Sequence, residues 1–208
     1  MNVPSTYFQT MYERSPDPWS LATRWYDRRK YDLTVAALPK ARYRSAFEPG
    51  CSVGELSTRL AARCDRLLSC DRESSATSSA AARLSGADHA RVEQRIIPDQ
   101  WPQESFDLIV LSEILYYFDQ ATMHRILDHA MATLEPGGTL AATHWRHPVS
   151  DHAQTGDAVH DALRAIPHLI PVCQHSETDF ILEVFVHADL SQSADVLQGS
   201  VAAAEGLV

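Results

Sequence analysis

Residues 106–111, Phe-Asp-Leu-Ile-Val-Leu, form a nearly continuous apolar run interrupted only by Asp107. A strand with one face in water alternates apolar and polar residues, so a run of this kind predicts a strand covered on both faces, at the centre of a parallel sheet. Parallel neighbours require long crossovers, and the chain supplies them. Short β-like runs at 43–48, 66–70, 91–97 and 139–145 alternate with helical patterns at 55–64, 74–84 and 121–134. The turn Leu134-Glu135-Pro136-Gly137-Gly138 is expected to close the last of these helices, since glycine supplies a left-handed cap and proline forbids continuation. After a helix at 157–166, two strands at 169–175 and 179–187 lie too close for a parallel crossover, so they pair antiparallel or lie apart. The expected fold is α/β: a Rossmann-like, doubly wound, mostly parallel seven-stranded sheet ending in an antiparallel strand pair.

Composition narrows the function classes. With 208 residues, 45% of them hydrophobic, the chain is long enough for a core without disulfide or metal staples. Eighteen basic against 27 acidic residues give a net charge of −9, which argues against a nucleic-acid partner. Cys51, Cys64, Cys70 and Cys173 contain no CxxC pair, and no apolar run approaches 18 residues. Reduced thiols, a cytoplasmic location and no membrane association are expected. Seven of the ten histidines fall between His144 and His187, but no H-x-x-x-H or H-E-x-x-H spacing occurs, so no metal site is expected.

The segment Glu48-Pro49-Gly50-Cys51-Ser52-Val53-Gly54-Glu55 joins the first strand to the first helix. A glycine turn there lets the backbone approach a ligand, and the helix N-terminus offers unpaired N–H groups. Asp71 ends the second strand about 20 residues later, where a carboxylate can accept hydrogen bonds from both hydroxyls of a ribose. A dinucleotide fingerprint would carry a third glycine where Glu55 stands, and Glu55 would repel a pyrophosphate. Glu48, Asp71 and Glu113 add negative charge at the same sheet edge, so the site is expected to suit a cationic ligand. The bland reading is a tight βα turn beside a solvated Asp.

On these residues the chain resembles the class I S-adenosylmethionine-dependent methyltransferases, with Ser52 in place of the middle glycine of their loop. It is similar, more narrowly, to the family of nodulation protein S, an amino-sugar N-methyltransferase. The shared features are Asp17-Pro18-Trp19, Arg28 and Lys30 within Arg-Trp-Tyr-Asp-Arg-Arg-Lys-Tyr, Glu48-Pro49-Gly50-Cys51, and the stretch from Asp107 through Ser112-Glu113 to Tyr116-Tyr117. The likeness runs from about residue 7 to residue 187. It implies S-adenosyl-L-methionine as cofactor, with S-adenosyl-L-homocysteine as product. The loop Gly50, Ser52, Gly54 would hold the methionine part beside Glu48 and Ser112. Asp71 would hold the ribose. Arg72 would cover the adenine, with Ile97 and Pro98 on the other side and Asp99 or a backbone carbonyl at the adenine amino group.

The same resemblance turns the aromatic and basic N-terminal segment into a lid, with Trp19 closing the site and Arg28 or Lys30 pairing with the cofactor carboxylate. Lys30→Ala is then expected to weaken binding roughly tenfold, for a charge-assisted bond of about 1.5 kcal/mol. Without the resemblance the segment reads as a helix that packs Trp19, Trp25, Tyr26 and Tyr31 on the core and leaves Arg24, Arg28, Arg29 and Lys30 in water. The expected division is a lid over 1–42, a cofactor-binding domain over 43–187 and a tail over 188–208, either a weak surface helix or flexible.

Ligands of open α/β sheets lie beyond the carboxyl ends of strands. Ser112, Glu113, Tyr116 and Tyr117 after the fourth strand, and His144, Trp145, Arg146 and His147 after the fifth, therefore surround the expected acceptor. Glu113 could orient an amine and hold its proton, Tyr116 bound the methyl channel, and His144 or His147 serve as base for a hydroxyl. The expected activity is N-methylation of a small polar acceptor, an amine or amino sugar. The alternatives are O-methylation or, in another class, an NAD-binding oxidoreductase.

Overall fold

The computed structural model describes residues 6–191 and 199–208. One seven-stranded sheet organises them. Its strands are β1 (Ala46–Pro49), β2 (Leu67–Asp71), β3 (Ala90–Gln94), β4 (Phe106–Ser112), β5 (Leu134–Trp145), β6 (Leu169–Ser176) and β7 (Phe180–His187), in the order β3-β2-β1-β4-β5-β7-β6. The first five run parallel, and β7 is antiparallel to both β5 and β6.

The apolar run that predicted a central strand divides between the two faces. Ile109 and Leu111 enter one core cluster with Phe47, Met123, Ile126 and Phe185, while Leu108 and Val110 enter the other with Leu60, Leu67 and Leu182. Asp107, the one polar interruption, accepts hydrogen bonds from the Ser45 N–H (2.7 Å) and the Arg44 N–H (3.0 Å) and so sets where β4 meets β1. Each fully buried aliphatic side chain contributes about 1.5–3 kcal/mol, so the two-sided run is the fold's main anchor.

From β1 the chain builds β2 and β3 to one side, then crosses back to place β4 on the other. That reversal is the switch point at which open sheets bind ligands. The crossovers are α3 (Glu55–Ala61), α4 (Ser74–Arg83) and α5 (Gln120–Thr133); α6 (Gly156–Arg164) follows β5. Asp119 caps α5 by accepting from the Thr122 N–H, and Thr155 caps α6 through the Ala158 N–H.

Two expectations change and one is met. Leu134 is already extended and pairs with Phe106, so Gly137 (φ 74°) bulges within β5 instead of ending a helix before it. The first strand starts at Ala46, and Tyr43 contributes only a lone bridge to Cys64. The two closing strands do pair antiparallel, but β7 inserts beside β5 and leaves the earlier β6 at the edge.

Two helices precede the sheet, α1 (Tyr7–Arg14) and α2 (Trp25–Ala36). In α2 the simple amphipathic reading inverts at two positions, because Trp25 is 69% exposed and Lys30 is buried. Residues 192–198 of the expected tail lie outside the described residues. Beyond them Gly199 lies against Val172 and Val186, and α7 spans Val201–Ala204. No helix among the described residues is long and apolar enough to cross a membrane.

Candidate active site

A cavity of about 550 Å³ opens at the switch point, within the roughly 300–1,000 Å³ usual for small-molecule sites. Its floor is the carboxyl edge of β1, β2 and β4, and its roof is α1 with the segment leading into α2. Glu48, Gly50, Ser52, Asp71, Arg72, Ile97, Ser112, Glu113, Tyr116, Trp19 and Lys30 all line it, as the sequence led us to expect.

The loop after β1 is held over the end of β2, where the Gly50 and Cys51 N–H groups both donate to the Cys70 carbonyl (2.7 and 2.9 Å). Gly50 sits at φ 76°, and a Cβ there would stand 2.5 Å from Ile114 Cδ1. Only glycine allows the loop to lie this close to the segment after β4. Asp71 accepts from the Ser52 N–H (3.0 Å) and the Glu73 N–H (3.0 Å), which fixes its carboxylate at the cavity edge. Burial raises its pKa, and those backbone donors oppose the shift. Glu48 is 3% exposed and accepts from the hydroxyls of Ser57 (2.5 Å) and Ser69 (2.8 Å); burial pushes its pKa up to about 7.

The opposite wall is organised by Glu113, in left-handed backbone at φ 54°. Strain of this kind, about 1–3 kcal/mol for a non-glycine residue, persists only where the surroundings hold it. Here Lys30 Nζ donates to Oε1 (2.7 Å), and the Tyr116 hydroxyl (2.7 Å) and Trp145 N–H (2.8 Å) donate to Oε2. Lys30 also donates to Asp27 (3.1 Å). Burial pulls the Lys30 pKa down, but Glu113 and Asp27 outweigh it, and the net shift is upward. Burial raises the Asp27 pKa, with Lys30 opposing.

Four expected site residues take other roles. Lys30 is committed to Glu113 and Asp27 and is not a spare cation for a ligand carboxylate. Arg28 is exposed, bonds the Thr23 carbonyl and does not line the cavity; Arg24, one turn earlier, does. Gly54 (φ 82°) also lies off the cavity, where a Cβ would meet Ala80 at 2.9 Å, so it brings α3 and α4 together. His144 is wholly buried behind Tyr116. Its Nε2 accepts from the Leu115 N–H (3.3 Å), which makes Nδ1 the protonated nitrogen, 3.1 Å from His160 Nε2, and His160 Nδ1 in turn meets Glu183 (2.7 Å). Burial and His160 hold its pKa well below the usual range. His144 is a structural link and not a base for the cavity.

Further residues fall away from the site. Glu55 pairs with Arg59 and Arg83 and does not face the cavity, so the carboxylates disfavouring a pyrophosphate are Glu48 and Asp71. Asp99 pairs with Arg125, Arg146 with Asp157, and His147 with Asp179.

Sequence reasoning missed the roof and the acceptor loop. Tyr7, Phe8 and Tyr12 come from α1, and the i, i+4 spacing of Phe8 and Tyr12 was the available signal. Phe8 contacts Trp19 and Tyr117 with ring centroids 6.3 and 5.0 Å apart, and the Tyr12 hydroxyl bonds Ser52 Oγ (2.6 Å). Tyr26, Asp27, His152 and Asp179 were also missed. The buried Tyr26 hydroxyl has no hydrogen-bond partner among the described residues.

The arrangement offers a diol acceptor at Asp71, carboxylates beside a close-approaching glycine loop, and an aromatic roof that excludes water. Those donors and acceptors fit a nucleoside bearing positive charge better than a dinucleotide. Comparison with known proteins agrees. The sequence model of the family Nodulation protein S (NodS) matches residues 11–163. Nodulation protein S of Rhizobium tropici is 30% identical over 126 residues, 60% of this chain and 53% of that protein, so the chain spans about half the length of this curated relative. Among solved structures, N-methyltransferase NodS from Bradyrhizobium japonicum WM9 with bound S-adenosyl-L-homocysteine superposes at a TM-score of 0.78. It is 26% identical, with 88% of this chain and 98% of that chain covered. A Pseudomonas syringae protein with a provisional methyltransferase assignment is 48% identical at a TM-score of 0.70, covering 78% of this chain and 99% of its own.

Proposed function

The chain belongs to the Nodulation protein S family, and from that premise we propose that it is an S-adenosyl-L-methionine-dependent methyltransferase acting on a nitrogen of a small polar acceptor, an amine or amino sugar. The observation that carries the reading is the cavity in which Asp71, the Gly50 turn and Glu113 face one another across the switch point. When bound, the cofactor supplies a methyl group on a sulfonium, and in-line attack on it needs alignment of the nucleophile above all.

The residues divide the work. Asp71 would accept from the ribose hydroxyls, and its backbone donors keep it oriented before binding. Arg72 and Ile97 would cover the adenine. Glu48 would meet a cationic ammonium at the Gly50–Ser52 turn, and the ammonium would favour its ionised form. Arg24 is the lid's cation for a carboxylate, in place of Arg28 or Lys30. Trp19, Phe8 and Tyr12 exclude water, which strengthens each of these interactions. Glu113, locked by Lys30 and Trp145, fixes the Tyr116 ring against the acceptor space. No nucleic-acid partner, supported by the net charge of −9, and a cytoplasmic setting belong to the same reading.

Calorimetry with S-adenosyl-L-homocysteine and with NAD, followed by radiolabelled methyl transfer to amines, amino sugars and phenols, tests the proposal. Binding of the homocysteine product and label on nitrogen are expected. Binding of NAD alone would overturn it.

A further inference from the structure

We propose that His152, in the loop between β5 and α6, is the base that accepts the proton of the acceptor nitrogen. The proposal rests on the methyl-transfer reading above. An amine is mostly protonated near neutral pH, and its lone pair must be free to attack, so a base near the acceptor lowers the barrier. The nitrogen's lone pair forms the new N–C bond, and the C–S bond breaks with its electrons left on sulfur. The nitrogen's pair is freed when an ammonium N–H bond breaks with its electrons left on nitrogen, and the proton passes to an imidazole nitrogen, whose lone pair forms the new N–H bond and leaves an imidazolium.

The other candidates are occupied. Both oxygens of Glu113 already accept, from Lys30 on one side and from Tyr116 and the Trp145 N–H on the other. The Tyr116 hydroxyl donates to Glu113, and burial holds its pKa well above the usual value. His144 is sealed behind the Tyr116 ring with both nitrogens engaged.

His152 differs on each count. It lines the cavity, and neither ring nitrogen makes a hydrogen bond among the described residues. Its orientation is fixed by packing instead. The ring stacks on Tyr116 (centroids 3.8 Å apart, 13° between planes) and meets Tyr117 edge-on at 5.0 Å. Backbone bonds from the Ala153 N–H (2.8 Å) and Gln154 N–H (3.2 Å) to the Tyr116 carbonyl tie its loop to the same turn.

The surrounding charges suit a base that must gain and release a proton. Burial lowers the His152 pKa, which leaves the imidazole neutral and able to accept at pH 7, while Glu113 and Asp151 oppose the shift and stabilise the imidazolium once formed. The other titratable groups facing it are Tyr116, Tyr117, His144 behind Tyr116, and Tyr7 from α1, which reaches the loop through Asp151. His152 is itself only partly buried, so the imidazolium can release its proton to water.

His152→Phe keeps the stack and removes the base, and His152→Gln keeps hydrogen bonding without basicity. Both variants are expected to bind S-adenosyl-L-homocysteine within about twofold of wild type by calorimetry. Both should lose roughly 100-fold or more in kcat with a primary amine at pH 7, the scale of general-base catalysis. The deficit should shrink as pH rises and the amine deprotonates unaided. An imidazole NMR titration of the wild type should give a His152 pKa below 6.5. A Phe variant with near-wild-type turnover, or a deficit equal at every pH, overturns the base assignment and leaves the methyltransferase reading intact. Failure of the wild type to bind S-adenosyl-L-homocysteine overturns both.

Discussion

Glu48 is buried at the end of β1 with a pKa near 7, against an ordinary value of 4.5. Between those values the native state holds a proton that the unfolded chain has lost, so this residue's contribution to stability falls as pH rises from about 4.5 to 7 and is level above that. Working from the two pKa values, the penalty is about 1 kcal/mol at pH 5 and about 3 kcal/mol at pH 8. Glu48→Gln mimics the neutral acid and can still accept from Ser57 and Ser69, so it removes the penalty. Urea denaturation of wild type and variant should show Gln more stable, with the gap widening by about 2 kcal/mol between pH 5 and pH 8. The same residue links binding to protons. A cation settling against Glu48 draws its pKa down, so S-adenosyl-L-homocysteine binding at pH 6.5 should release protons. Calorimetry in buffers of different ionisation enthalpy reads that release, which Glu48→Gln should abolish. A stability gap that is constant with pH would refute the reasoning.

Lys30→Met leaves the buried Asp27 and the partly buried Glu113 without their cation and should cost about 3 kcal/mol of unfolding free energy; a Glu113→Gln partner change should recover part of it. Gly50→Ala forces a Cβ against Ile114 at positive φ and should lower both the thermal midpoint and affinity for S-adenosyl-L-homocysteine, seen by thermal shift and calorimetry. His144, with its pKa held down, adds an acid-side instability: the unfolded chain binds a proton that the native state refuses, so stability is lost as pH falls below about 6.5. Its NMR resonance should not titrate before acid unfolding. Trp19→Ala opens the roof and should weaken product binding about tenfold while the unfolding midpoint in urea changes little.

The sheet was legible because its signals are local. A nearly continuous apolar run, a glycine turn and an acidic strand end each occupy a few neighbouring residues. The loop residues Gly50, Ser52 and Asp71 reached the cavity for the same reason. Lys30 could not be read this way, because its burial depends on Glu113, far along the chain, folding back beneath α2. For Arg24 and Arg28 the deciding factor was the backbone, since Arg24 is extended just before α2 and Arg28, inside the helix, is turned to solvent. His144 was misjudged although its signal was available. Strand side chains alternate, so with Trp145 lining the cavity, His144 had to face the opposite side, where α6 brings His160. His152 gave no signal, since it lies in an irregular polar loop whose course no periodicity describes.

The two ends of α1 are fastened unequally. At one end Tyr12 is buried with Val53 and Ala76 and bonded to Ser52; at the other, the Tyr7 hydroxyl is held by one exposed bond to Asp151 (3.0 Å). An exposed hydrogen bond worth about 1 kcal/mol is broken in roughly one molecule in six. The helix is therefore a lever with its pivot over the Ser52 turn, while its other end rests on Tyr117 through the rings of Tyr7 and Phe8 (centroids 6.5 and 5.0 Å away). Strain on the roof is thus taken up on the side nearest His152, where the ties are ring contacts and one exposed hydrogen bond, before it reaches the buried Tyr12 end.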